Sequence, residues 1–377
     1  MAGASDVLRS DHSLSTPVSR SGSYFAEGRL ALAAIASSLL VWLPYAGRMR
    51  IIYRNWDSPS YLDIAGEGYV SGNPIAPTVS PPLVLAHFPL YPLLVRALGF
   101  IGLERALLAV SVLATIAATA IFYRLARDVW RVESPEFLTL VFLLVPPRWV
   151  LYRSLGASEP LFIALVMASI WFFETDRIGW SCVAAGLAAV TRVSGIMILP
   201  AWALLLLLRG RSRSLPWLAL IPAGLAAYLV FTRVRFGSFF APFAPNVEKI
   251  ASPIPFSFLG WLIGVNLVAH AEFYIYLAFI YALGISRLRR FPVPMTYAAF
   301  QLAFFLCISS EDWSRYFLAM APFALVLGFH DILTSRAARW LLPAYAAVTL
   351  YYCWNVFPKN VCPEPVYNEI LRRIGAA

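Results

Sequence analysis

The sequence predicts an all-α, polytopic membrane protein with about eleven transmembrane helices, within a range of about nine to twelve. Hydrophobic residues make up 60% of the 377 residues, and the mean hydropathy is +0.70. Charged residues make up only 13%, against roughly 25% in soluble domains. A water-soluble fold of this size could not bury so much apolar surface, so the composition excludes a soluble globular protein.

The apolar runs set the positions of the predicted helices, because a bilayer core needs about 20 apolar residues per helix. The predicted spans are 30–46, 104–123, 136–151, 158–174, 178–191, 194–208, 215–232, 262–284, 292–308, 316–333 and 340–357. The pair over 178–208 is short and predicts a hairpin of shortened helices. The sidedness of every later segment depends on that pair.

The two ends of the chain are predicted to lie on opposite sides of the membrane. Residues 1–29 are polar and rich in serine and glycine, which predicts a disordered cytoplasmic tail. Residues 30–357 form the transmembrane domain, and 358–377 form a short outer tail. The basic residues divide evenly between the two sides, but every short inner loop carries an arginine, which favours a cytoplasmic N-terminus.

The first outer loop, 47–103, is the longest connection between the predicted spans. Pro59 suits the first turn of a short helix, and Gly68 suits its end. A second short helix is predicted to begin near Pro89 and to end before Gly99. Two such helices, apolar on one face, are typical of segments that lie on a membrane surface.

The basic residues are almost all arginines, since Lys249 and Lys359 are the only lysines among the 30. A guanidinium group matches the oxygens of a phosphate, although a GC-rich genome would also favour arginine. The four cysteines form no CxxC pair and no cluster with histidine, so no zinc site is predicted. Cys353 and Cys362 could at most close one small disulfide loop.

Asp57 is the first candidate catalytic residue, in the segment Arg54-Asn55-Trp56-Asp57 just outside the first span. A carboxylate there could accept a proton from a hydroxyl held at the membrane surface. Trp56 offers a flat apolar face to a sugar ring, and Arg54 and Asn55 are candidate substrate contacts. The alternative is that Asp57 caps the following helix and Trp56 belongs to the interfacial aromatic belt.

His87 and Tyr91 are the second pair of candidates, in His-Phe-Pro-Leu-Tyr-Pro. Both could contact substrate from a proline-ordered surface segment. A histidine in such a segment is more often structural than catalytic, and that alternative stays open.

Ser158 and Glu159 place a carboxylate at the outer end of the fourth predicted span. They could bind substrate, or Glu159 could simply pair with Arg148 or Arg153. Arg192 lies in the short apolar hairpin and needs an anionic partner. That partner is either Glu159 or a substrate phosphate.

Arg315 and Tyr316 precede the tenth predicted span and could bind substrate or anchor the chain at the interface. His270 and Glu272, in the eighth span, could be polar packing or substrate contacts. Ionisable residues near membrane depth are costly and point to function. The predicted topology places the candidates from all five segments at the outer face.

The order of these segments resembles the membrane mannosyltransferases that add the second mannose to GPI anchors (PIG-V-like) and their bacterial relatives, which are GT-C glycosyltransferases. The matching segments are Trp56-Asp57 through Gly68-Tyr69, Phe88 to Pro92, Ser158 to Phe162, Thr191 to Gly195 and Arg315-Tyr316, with a looser match at Gly237 to Phe243. Two positions depart from the family pattern, since His87 stands where an aromatic residue is usual and Pro160 follows the glutamate.

The resemblance implies a GT-C-like fold and a polyprenyl-phosphate hexose donor, with mannose as the sugar. It implies transfer to a lipid, glycolipid or glycan at the extracytoplasmic face of a bacterial plasma membrane, or of the ER membrane in a eukaryote. It also places the catalytic acid at Asp57. No cofactor and no divalent metal are expected.

The chemistry of such a donor agrees with these residues. Direct displacement of a phosphate needs a base on the acceptor hydroxyl and positive charge at the leaving group, and it inverts the anomeric centre. Asp57 could be the base, and Arg192, Arg315 or Arg54 could supply the charge.

Two other function classes compete with a glycosyltransferase. A secondary transporter would need interrupted helices, charges at midplane and paired repeats, and the sequence shows no repeat. A non-catalytic subunit of a membrane complex predicts that Asp57 is dispensable.

Overall fold

The computed structural model describes residues 20–70, 74–75, 83–244, 255–308 and 312–375, which are almost entirely helical. The α-helices are α1 (Arg20–Trp42), α2 (Arg50–Tyr53), α3 (Ser58–Glu67), α4 (Leu90–Ala97), α5 (Leu103–Arg124), α6 (Pro135–Leu144), α7 (Pro147–Tyr152), α8 (Glu159–Glu174), α9 (Ile178–Ala189), α10 (Ile198–Leu208), α11 (Leu220–Phe236), α12 (Ser257–Gly264), α13 (Val268–Arg287), α14 (Pro292–Leu306), α15 (Trp313–Tyr316), α16 (His330–Leu333), α17 (Arg336–Val356) and α18 (Glu364–Arg373). The all-α prediction is confirmed.

Four helical stretches of the described chain are long and apolar enough to cross a membrane. They are Tyr24–Tyr45, Leu103–Val129, Ser212–Phe236 and Val268–Arg290. Shorter apolar helices cover Pro135–Leu144, Ile178–Ala189, Val193–Leu208 and Pro292–Leu306. These helices indicate a multi-pass membrane protein, while the number of about eleven spans stays a prediction.

Two of the predicted spans are broken rather than continuous. The span 136–151 divides into α6 and α7, because proline disfavours helical backbone in the residue before it and lacks an N–H donor, and Pro146 and Pro147 lie at the break. The span 316–333 divides into short helical pieces, among them a π-turn over Pro322–Leu327.

The ends of the described chain also differ from the prediction. Helix α1 begins at Arg20, so residues 20–29 of the predicted disordered tail are helical. Residues 1–19 lie outside the described residues. The predicted outer tail, 358–377, contains the ordered helix α18.

Helices α5, α8 and α9 form the centre of the molecule, with α8 packed against the other two. Small and hydroxyl side chains bring α8, α9 and α10 together. The hydroxyl of Ser169 donates to the Ser181 carbonyl at 2.9 Å, and the Trp202 indole donates to the Ser181 hydroxyl at 2.7 Å. Hydrogen bonds of this kind stabilise helix contacts in apolar surroundings.

Helix α18 folds back onto the segment that joins α1 to α5. Its residues Tyr367, Ile370 and Leu371 are buried in one apolar cluster with Tyr61 of α3 and Tyr91 of α4. This contact could not be predicted from the sequence, because a ten-residue helix carries too little apolar surface to indicate which distant segment it covers.

Candidate functional site

A cavity of about 960 Å³ lies between the segment that joins α1 to α5, the turn after α9, α15 and the residues before α18. One part of its wall is polar and charged, with Asp57, His87, Arg148, Ser158, Arg192, Asp312 and Arg315. Another part is apolar, with Phe88, Phe243, Leu267, Phe304, Phe305 and Ile308. The cavity can therefore receive a ligand that is anionic at one end and apolar at the other.

Asp57 directly precedes α3, but its side chain does not cap that helix. The preceding residue, Trp56, has φ of 52°, a left-handed conformation that is costly for a bulky residue. The backbone N–H of Trp56 donates to the Asn360 carbonyl at 3.1 Å. This strained turn directs the Asp57 carboxylate toward the cavity instead of toward the helix N-terminus.

Four charged residues, which we call the arginine–carboxylate cluster, meet at the polar wall: Asp57, Glu159, Arg192 and Arg315. Arg315 donates from Nη2 to Asp57 Oδ2 and from Nε to Glu159 Oε1. Arg192 Nη1 donates to the same Glu159 oxygen at 2.8 Å and to the Ser158 hydroxyl at 3.2 Å. Two guanidinium groups thus share two carboxylates, and Glu159 is the buried member at 2% exposure.

Burial of Asp57 opposes its ionisation, but Arg315 and His87 outweigh that effect and hold the carboxyl pKa well below its usual range. His87 Nε2 lies 3.7 Å from Asp57 Oδ1, which is too long for a hydrogen bond. The lowered pKa means that Asp57 is ionised at neutral pH.

Arg192 is positioned by a tight turn between α9 and α10. The residues after it, Val193–Met197, form a 3₁₀ turn. Gly195 in that turn approaches α9 so closely that a Cβ atom would lie 2.6 Å from the Ala189 backbone nitrogen. Only glycine fits there, so the Thr-Arg-x-x-Gly segment has a structural reason for its glycine.

Of the other predicted site residues, Trp56, His87, Ser158 and Tyr316 line the cavity. The ring of Tyr316 stacks on Phe305, with centroids 5.6 Å apart. The rings of His87 and Tyr61 are in a T-shaped contact, with their centroids 5.0 Å apart.

Arg54, Asn55 and Tyr91 do not line the cavity. Arg54 Nε donates to the Cys362 carbonyl at 2.9 Å, and Asn55 Nδ2 donates to the Phe357 carbonyl. Tyr91 is fully buried, and its hydroxyl donates to the Leu107 carbonyl at 2.8 Å. These three side chains hold the loop in place instead of facing the cavity.

Arg148 and Asp312 line the cavity but were not among the predicted site residues. Arg148 Nη2 lies 3.0 Å from Asp312 Oδ1, and the Tyr152 hydroxyl donates to Asp312 Oδ2 at 3.1 Å. The Arg148 guanidinium also lies over the Trp56 ring at 5.5 Å. Arg148 could have been selected from the sequence, because it is an arginine inside an apolar run. Glu159 pairs with neither Arg148 nor Arg153.

No group of three or more His, Cys, Asp or Glu side chains that could hold a metal ion occurs in the part of the chain that the structure describes. The four cysteines are free thiols, so Cys353 and Cys362 form no disulfide. Of the oxygen ligands at the cavity, Asp57 and Asp312 are each paired with an arginine. Independence from metal stays a prediction.

Comparison with known proteins shows the fold. No family model and no curated protein matches the sequence. The structure is similar to ArnT from Cupriavidus metallidurans in the apo state, with a TM-score of 0.53 and 15% identity over 93% of this chain and 76% of that one. It is similar to the same protein bound to undecaprenyl phosphate, with a TM-score of 0.53 and 14% identity over 92% and 75% of the two chains.

Archaeal oligosaccharyltransferase AglB from Archaeoglobus fulgidus aligns less well. Its TM-score is 0.47, with 13% identity over 95% of this chain and 57% of that one. ArnT is a GT-C glycosyltransferase of the membrane, and the likeness to it spans nearly the whole chain. The chain therefore has the GT-C fold, as the sequence predicted.

Proposed function

We propose that this chain is a membrane glycosyltransferase that transfers a hexose, with mannose the first candidate, from a polyprenyl-phosphate donor to a lipid, glycolipid or glycan hydroxyl. One observation carries the proposal. An ionised carboxylate, Asp57, faces a cavity that also presents Arg192 and Arg148 and has an apolar wall. This is the set of groups that a hydroxyl, a phosphate and a prenyl chain would require.

The donor class is supported by the two-sided character of the cavity. A polyprenyl-phosphate sugar carries an anionic phosphate next to a long apolar chain. Arginines match phosphate oxygens, and the apolar wall around Phe304 and Phe305 suits the first isoprene units. ArnT, which has a similar fold, is seen bound to undecaprenyl phosphate.

The reaction is a single displacement at the anomeric carbon. Asp57 takes the proton of the acceptor hydroxyl while the acceptor oxygen bonds to the sugar. The bond from the sugar to the phosphate oxygen breaks, and its electron pair leaves with the lipid phosphate. Attack and departure occur on opposite faces, so the anomeric configuration inverts.

That geometry divides the arginines between two roles. Arg315 bonds directly to Asp57 and therefore belongs on the acceptor side. The leaving phosphate lies on the opposite face of the sugar and needs a different cation. Arg192 and Arg148 are the arginines for that role, since both line the cavity and neither is paired with Asp57. Preorganised charge of this kind stabilises the departing phosphate.

Glu159 is the counterion that holds this arrangement together. It is buried and bonded to both Arg192 and Arg315, so it fixes their guanidinium groups at a set separation. We assign it a positioning role. The sequence resemblance to the GPI second-mannose transferases supports mannose and the extracytoplasmic face, and the arginines of the short inner loops support a cytoplasmic N-terminus.

The sidedness can be tested by labelling. A cysteine replacing Pro74, in a background without the four natural cysteines, should react with a membrane-impermeant maleimide added to intact cells. Labelling only after permeabilisation would place the cavity on the cytoplasmic side and contradict an extracytoplasmic active site.

The activity can be tested with Asp57→Asn. Membranes containing the wild-type protein should transfer radiolabelled mannose from polyprenyl-phosphate mannose to an endogenous lipid or glycan, and Asp57→Asn should reduce the rate by about 10²-fold or more. The matched control is Asp331→Asn, because Asp331 also pairs with an arginine, Arg287, but lies away from the cavity.

Equal expression of both variants, with loss of transfer only in Asp57→Asn, is the expected result. Wild-type transfer by Asp57→Asn would refute its role as the base. Absence of transfer by the wild-type protein with every polyprenyl-phosphate hexose tried would refute the proposed function itself.

A further inference from the structure

The residues after α17 are hydrogen-bonded to the turn that precedes Asp57, residues 54–56. We call residues 357–374 the C-terminal segment. The Cys362 N–H donates to the Arg54 carbonyl at 2.8 Å, and Arg54 Nε donates back to the Cys362 carbonyl at 2.9 Å. Asn55 and Val361 form an antiparallel bridge. The three residues before Asp57 are thus held by the C-terminal segment, because the Trp56 N–H also bonds to the Asn360 carbonyl.

Helix α18 joins this segment to α5 and α3. The Tyr367 hydroxyl donates to Glu104 at 2.5 Å, and Arg373 lies 3.7 Å from Asp63 of α3. Ile374 packs so tightly on Gly66 that any larger residue at Gly66 would overlap its side chain. The C-terminal segment is therefore docked on α3 from Tyr61 to Gly66.

The same segment forms part of the cavity surface. The residues of this segment that line the cavity are Asn360, Val361, Cys362, Pro363 and Val366. None of these side chains is charged, in contrast to the arginine–carboxylate cluster. The surface they offer is apolar apart from the Asn360 amide.

The chemistry places this wall on the acceptor side. In the proposed displacement, Asp57 touches the acceptor hydroxyl, and the phosphate departs on the opposite face of the sugar. Residues bonded to the backbone immediately before Asp57 therefore border the acceptor. We propose that the C-terminal segment is the acceptor-side wall of the active site, which positions Asp57 and selects an acceptor that is uncharged next to its reacting hydroxyl. This inference rests on the proposed function.

The test is to add a bulky side chain to the cavity surface of the C-terminal segment while the charged residues stay unchanged. Val366→Trp adds an indole at the cavity surface, and Asn368→Trp adds the same bulk on the exposed side of α18. Both purified proteins are assayed for transfer at varied acceptor and at varied polyprenyl-phosphate mannose. Hydrolysis of the donor by water, without acceptor, is measured in parallel.

We expect Val366→Trp to raise the acceptor KM by about tenfold or more, while the donor KM and the donor hydrolysis rate stay within about twofold of those of Asn368→Trp. Unchanged acceptor kinetics, or an equal loss of donor and acceptor use in a protein of normal thermal stability, would overturn the inference. Failure of the wild-type protein to transfer or hydrolyse the donor would instead refute the proposed function, so the two failures are distinguishable.

Discussion

Arg315 and Arg153 are both enclosed arginines, and the protein satisfies them in opposite ways. Arg315 is bonded to two carboxylates, Asp57 and Glu159, at the edge of the cavity. Arg153 is fully buried, and its guanidinium donates to the hydroxyls of Ser37 and Ser38 at 2.9 Å each. Within the described ranges, no carboxylate lies within ion-pair distance of Arg153.

In the proposed function, this difference separates an arginine that acts at the active site from an arginine that stabilises helix packing. Arg315 is paired with carboxylates and lines the cavity, so a bound substrate can take the place of one of these partners. Arg153 is bonded to serine hydroxyls, joins the end of α7 to α1, and does not line the cavity described above. Burial of an arginine alone therefore does not identify a site, whereas burial beside a cavity does.

The largest effect is expected from Arg315→Gln. It removes the cation shared by Asp57 and Glu159, and leaves Glu159 with Arg192 and Asp57 with His87. We expect transfer to fall by about 10²–10³-fold and the protein to lose about 3–5 kcal/mol of stability, as when one partner of a buried ion pair is deleted. Initial rates and thermal unfolding in detergent measure the two losses.

Arg315→Lys is the matched variant, since it keeps the charge but cannot donate to two carboxylates at once. An intermediate loss of rate is expected. A rate equal to that of the wild-type protein would show that the contact of Arg315 with both carboxylates is unnecessary for transfer.

The pH dependence of Arg315→Gln gives the next effect. In the wild-type protein the pKa of Asp57 is depressed, so its ionised form and the stability it contributes are lost only as the pH falls below the usual carboxyl range. Without Arg315, only His87 opposes the effect of burial, so the pKa of Asp57 should be higher than in the wild-type protein. The residual transfer rate should therefore decline on acidification in the variant at a pH where the wild-type rate is still constant, in a comparison of pH–rate profiles.

Arg153 predicts a stability effect without a catalytic one. Replacing Ser37 and Ser38 together by alanine removes both acceptors of a buried guanidinium and should cost about 3 kcal/mol or more. Arg153→Met should be nearly neutral, because the serine hydroxyls keep their bonds to the carbonyls of Ala33 and Ala34. Thermal unfolding measures both, and a transfer rate reduced tenfold in a well-folded Arg153→Met would contradict the packing role.

The smallest effect is expected from removing divalent metal. If guanidinium groups supply the charge at the phosphate, EDTA should change the transfer rate by less than about twofold. Loss of activity in EDTA, with recovery on adding Mg²⁺ or Mn²⁺, would show that a metal ion and not the arginines alone stabilises the departing phosphate.

The sequence predicted those features that depend on neighbouring residues. Apolar runs placed α5, α8 and α17 near their observed positions, and Pro59 and Gly68 bounded α3. The outer-loop carboxylate and the hairpin arginine could be selected because a charge in an apolar context is costly whatever surrounds it.

Contacts between distant segments left no such signal. Asp57 and Arg315 are separated by 258 positions, and nothing near either one predicts their ion pair. The pairing of Arg148 with Asp312, and the docking of α18 on α3, are likewise set by how the helices pack. Arg54 and Asn55 were predicted to bind substrate because they adjoin Asp57, whereas their side chains bind the C-terminal segment.

The bridge between Asn55 and Val361 has a consequence for how the protein comes apart. It closes a loop across nearly the whole chain, since Arg54 and Cys362 lie 308 positions apart. Contacts of such long range form late in folding and can open locally while helices persist. Mild heating in detergent should therefore abolish activity while circular dichroism still reports intact helices, and cooling should restore it.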